Sequence, residues 1–99
     1  MSYHLHIKKL SNDQLQEQSI PMEDWLGILR NDDDFSCIVD EGNSVSAIFS
    51  KTPNHSESIA WYNGGIDAMK PSEMLARKMI LLANTLNAQV VTDRGLCYF

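Results

Sequence analysis

The sequence predicts an α+β fold: a single, mostly antiparallel sheet with two helices packed on one face, in the order β-α-β-β-β-α-β-β. Three observations carry this expectation. Two stretches repeat their apolar residues at helical spacing, at Met22, Trp25, Leu26 and Leu29 and at Leu75, Met79, Leu82 and Leu86. Short runs around them alternate apolar and polar residues. Turn residues separate these runs, with no repeat and no linker, so residues 1–99 read as one domain.

Tyr3, Leu5 and Ile7 alternate with His4, His6 and Lys8, which predicts an opening strand over residues 3–10 with one buried face. Ser11 to Ser19 is polar and reads as a loop. Pro21 suits the first turn of a helix, where its missing N–H has no partner to lose, and Glu23 and Asp24 complement the positive end of the dipole. Asn31-Asp32-Asp33-Asp34 ends that helix. Phe35 to Val39 and Ser44 to Ser50 read as strands joined at Asp40-Glu41-Gly42-Asn43, with Gly42 supplying the positive φ of a tight turn. Lys51 to Glu57 reads as a polar loop, and Ser58 to Asn63 as a strand stopped by Gly64-Gly65. Ser72 can cap the second helix, which runs to Leu86. Ala88 to Thr92 and Leu96 to Phe99 read as a closing hairpin turning at Asp93-Arg94-Gly95.

Composition narrows the function. The chain is 43% apolar and 21% charged, which suits a packed core and argues against disorder. Its formal charge of −5 is unevenly placed. Residues 12–69 hold eleven acids against Arg30 and Lys51, a net of −9, and both ends are mildly basic. A field of that sign repels nucleic acid and anionic membrane and favours basic partners, although acids also keep a small domain dissolved. The N-terminus lacks the basic and apolar regions of a signal peptide, and the longest apolar run, Met79 to Ala83, is far short of the ~20 residues that span a bilayer. A cytoplasmic protein is expected, with Cys37 and Cys97 reduced and buried as small hydrophobes.

Motifs for chemistry are missing. His4 and His6 share a strand face, but a structural zinc site wants about four ligands, and two solvent-facing histidines explain the pattern more simply. Asp32-Asp33-Asp34 lacks the later glycine and terminal glutamate of a calcium loop. Gly64-Gly65 lacks phosphate-loop spacing, and neither cysteine nor any serine has a nucleophile signature. No metal, cofactor or catalytic residue is expected, and the chain reads as a binding protein. Trp25 belongs to the apolar face of its helix. Trp61 and Tyr62 are adjacent in a strand, so they point to opposite faces and one of them is available as an aromatic contact.

The chain resembles a group of small bacterial proteins over nearly its whole length. The likeness lies in the opening strand Tyr3-His4-Leu5-His6-Ile7, the helix start Pro21-Met22-Glu23-Asp24-Trp25, and the central Trp61-Tyr62 followed by Gly65-Ile66 and Pro71. It closes with Ala83 through Leu86, Ala88, Val90, Asp93, Gly95 and Tyr98. The chain departs from that pattern at Thr92-Asp93-Arg94-Gly95, which is less acidic, and in the loop from Asn12 to Ser19. Proteins of this kind are often immunity proteins of polymorphic or contact-dependent-inhibition toxins, which bind a cognate toxin in the cytoplasm and block its active site or substrate path. The resemblance therefore implies a protein partner and no cofactor. For a nuclease toxin, whose own groove is basic, Asp32, Asp33, Asp34, Asp40 and Glu41 would mimic phosphate, with Trp61 or Tyr62 as anchor. An adaptor or regulatory interaction domain is the alternative, and a small ligand-binding domain a further one.

Overall fold

The structure, a computed structural model, describes residues 4–10 and 17–92. Its elements are β1 (Leu5–Leu10), β2 (Glu17–Gln18), α1 (Met22–Asn31), β3 (Phe35–Asp40), β4 (Ser44–Thr52), β5 (His55–Tyr62), β6 (Gly65–Ala68), α2 (Glu73–Leu86) and β7 (Gln89–Thr92). Every strand pair is antiparallel. β1 pairs with both β6 and β7 along the same residues, so the sheet runs β7-β1-β6-β5-β4-β3, with β2 against the last residues of β1. The expected α+β architecture is present.

One sheet face is dry. Leu5, Ile7, Ile66, Trp61, Val45 and Phe49 are buried there against Trp25 and Leu29 of α1 and Leu75, Met79, Leu82 and Leu86 of α2. The helical stripes predicted from spacing are the stripes that face the core. α1 lies over β3 and β4, and α2 over β1 and β7. The Ser72 hydroxyl accepts from the Leu75 N–H and caps α2, and Asn87 ends it in a left-handed conformation.

The chain between Lys51 and Ala68 differs from expectation. Lys51 to Glu57 is not a loop, because Thr52 pairs with His55 and only Pro53-Asn54 turns. Gly64-Gly65 does not end the sheet either. Asn63 (φ 52°) and Gly64 (φ 86°) both take left-handed backbone, the requirement of a two-residue hairpin turn, and the chain returns as β6. The expected strand at Leu96–Phe99, its turn, Tyr3 and Ser11 to Gln16 of the expected loop fall outside the described residues. The end of that loop is a strand instead, because Glu17 and Gln18 pair antiparallel with Leu10 and Lys9 as β2.

Ile20 is held by that same turn. The Ile20 N–H donates to the Gly64 carbonyl at 2.9 Å, and the Trp61 indole N–H donates to the Ile20 carbonyl at 2.8 Å. This tie sets the chain on its way into α1. Among the described residues no helix is long and apolar enough to cross a membrane.

Candidate partner-binding edge

The acidic residues singled out by the sequence lie on either side of β3, the strand at one end of the sheet. Asp32, Asp33 and Asp34 precede it, and Asp40 and Glu41 close it and enter the turn to β4. A six-residue strand separates the two groups by on the order of 20 Å. They form two acidic ends of one edge.

The first end is partly neutralised from within. Lys78, on α2 and only 14% exposed, reaches across to the carboxylates of Asp32 and Asp34, the latter at 3.0 Å, with its ammonium 5.6 Å from the centre of the Phe35 ring. Burial pushes the Asp32 carboxyl up, but the hydrogen bonds from Lys78 and from the Asp34 N–H outweigh it and hold the group below its usual range. Burial likewise lowers Lys78, and its two carboxylate partners more than reverse that. Asp33 is the exposed member of the run.

At the second end Asp40 and Glu41 are both exposed, and Asp40 Oδ1 accepts from the Gly42 N–H at 2.9 Å to shape the turn. Ser44 hydrogen-bonds Glu41 and pairs across the sheet with Tyr62. Tyr62, 57% exposed on the open face, therefore stands at the same end as Asp40 and Glu41. Trp61 is 8% exposed in the core with its N–H occupied, so Tyr62 is the member of the aromatic pair left at the surface.

Between the two ends β3 exposes apolar side chains, Ile38 at 40% and Val39 at 49%. The expectation that Cys37 is buried is wrong. Cys37 is exposed, at a bulge where Cys37 and Ile38 together face Ala47 of β4. It takes a positive φ of 53°, a conformation better suited to glycine. The bulge interrupts the strand's alternation and turns these side chains away from the helices. Cys97 lies outside the described residues. The charge runs flanking this short apolar strand suit an exposed edge, since natural sequences guard exposed strands in this way, but they do not by themselves place the strand at one.

His6, on the open face, is paired through Nδ1 with Asp67 Oδ1 at 2.5 Å. It shares a shallow hollow with Lys8, Tyr62 and the Asn63-Gly64 turn. A second, larger groove runs between α1 and α2 past Gly27, Ile28 and Thr85. No cluster of three metal-ligating side chains occurs among the described residues, and none of their buried side chains is polar or charged.

Compared with known proteins, the chain matches no family model, no curated protein and no solved structure.

Proposed function

We propose that this protein is an immunity protein that binds a cognate, basic bacterial toxin in the cytoplasm and occludes its active site or substrate groove. The observation that carries the reading is the β3 edge, with exposed apolar side chains at its centre and acids at both ends. An apolar centre within a charged rim is the composition of a protein interface, and opposite charge accelerates encounter. A nuclease fits best, because a groove built for phosphate accepts carboxylates. The acidic ends and Tyr62 form the contact surface, and the mechanism is binding alone, with no cofactor.

Co-expression with the product of the neighbouring gene tests the function. Rescue of growth from a toxic neighbour is expected, and a harmless neighbour with no co-purifying partner would overturn it. Reversing Asp33, Asp40 and Glu41 to lysine should slow association by about tenfold or more at low salt. An adaptor for a non-toxic basic protein would use the same edge, and the toxicity of the neighbour separates the two.

A further inference from the structure

We propose that the β3 edge takes up an extended, cationic segment of the partner as an added antiparallel strand. This rests on the protein-binding reading above and specifies how the edge is used. Among the described residues β3 pairs with β4 alone. The Ser50 N–H donates to the Asp34 carbonyl and the Glu41 N–H to the Ser44 carbonyl, both at 2.9 Å. Alternation along an antiparallel ladder then turns the carbonyl of Phe35 and both backbone groups of Asp40 away from β4, toward the open side. Those groups are the hydrogen-bonding template of an edge strand. Ile38 and Val39 beside them supply apolar contact.

Charge selects the occupant. A second copy of β3 laid antiparallel would set its Asp40 and Glu41 against Asp32, Asp33 and Asp34 of the first, with the same clash at the other end. A parallel copy would place the like groups side by side. Like charges directly opposed across strands are destabilising, so self-pairing is disfavoured. A segment with Lys or Arg at each end and β-branched residues between them matches both acidic ends and the apolar centre. The bulge at Cys37 and Ile38 limits uninterrupted pairing to the Val39–Glu41 half, which keeps the edge from serving as a general template.

The test uses the full chain and the peptide Lys-Arg-Thr-Val-Thr-Val-Lys-Arg, with the same peptide N-methylated at alternate amides as control. Amide chemical shifts and hydrogen exchange are read by NMR at low salt. Shifts should map to residues 35–41, and the Asp40 amide should slow in exchange by about tenfold when peptide is saturating. N-methylation should weaken binding by about tenfold, because it removes backbone pairing and leaves the charge. Equal binding of the methylated peptide, no binding of either, or shifts confined to the groove between α1 and α2 would each overturn strand addition. Asp40→Pro provides a second arm, since it deletes an outward donor rather than a β4 bond. Should that variant fail to fold, the methylated peptide still decides. Toxin rescue that survives loss of peptide binding sinks the mode and spares the function. A harmless neighbour removes the function, while the peptide result still reads the edge.

Discussion

Glu57 and Ser72 meet across fifteen residues of chain: one carboxylate oxygen accepts the Ser72 backbone N–H at 2.7 Å, and the other accepts its hydroxyl. The same hydroxyl accepts from the Leu75 N–H, so the cap of α2 is itself held by β5. His55 Nε2 lies 2.7 Å from Glu57 and completes the cluster. The contact pins the start of the longer helix to the sheet.

Burial raises the Glu57 carboxyl, but the Ser72 hydrogen bonds and the His55 contact outweigh it and hold the group below its ordinary 4.5. A depressed carboxyl stabilises the fold above its unfolded value and loses that contribution as pH falls through the folded one. Stability should therefore drop below about pH 4.5. Glu57→Gln should lose about 1–2 kcal/mol at pH 7 and show a flatter acid limb in urea melts. An unchanged acid limb would mean the cluster contributes nothing.

Lys78 should behave in the opposite sense. Its ammonium is raised above the ordinary 10.5 by Asp32 and Asp34, so its contribution is complete below that value and is lost only as pH rises through the higher folded-state value. Lys78→Met leaves two neighbouring carboxylates without their cation and should cost about 1–2 kcal/mol at neutral pH. Denaturant midpoints of the two proteins should differ by a constant amount from neutral pH up to about 10.5, and the gap should begin to narrow only above that.

Adjacent aromatic residues should give opposite results. Trp61→Phe strands the Ile20 carbonyl and should cost about 1–3 kcal/mol by thermal melt. Tyr62→Ala, on the open face, should stay within about 0.5 kcal/mol of the parent. If partner binding is measured, Tyr62→Ala should weaken it and Trp61→Phe should leave it unchanged in folded protein.

Two backbone positions test left-handed strain. Cys37 has a side chain where glycine would be easier, so Cys37→Gly should raise stability by up to about 1 kcal/mol. At Gly64 an added Cβ would meet the Ser19 backbone Cα at 3.1 Å and its hydroxyl closer still, at φ 86°. Gly64→Ala should therefore lose about 1–3 kcal/mol, read from the shift in melting temperature. A gain at Gly64 or a loss at Cys37 would contradict the described backbone.

Most elements were legible because each is specified locally. The stripes of α1 and α2, the Ser72 cap and the turn at Gly42 were each readable from a few neighbouring residues. β6 was missed although its signal was present: Asn63-Gly64 is a strong hairpin turn, and Ile66 and Ala68 alternate with Asp67. Four residues opening on glycine make a weak strand on propensity alone. Pairing with both β1 and β5 stabilises it.

The sequence by itself determined the α+β class, the two helices, the buried faces and the excess of acid in the middle of the chain. These follow from periodicity and composition, which short-range chemistry reads directly. Only the tertiary structure decided that β3 lies at an edge, that Lys78 claims Asp32 and Asp34, and that Tyr62 rather than Trp61 reaches the surface. Each depends on which distant segments become neighbours. A strand reads much the same in the middle of a sheet as at its border, and a carboxylate shows no sign in sequence of the lysine that meets it 44 residues later.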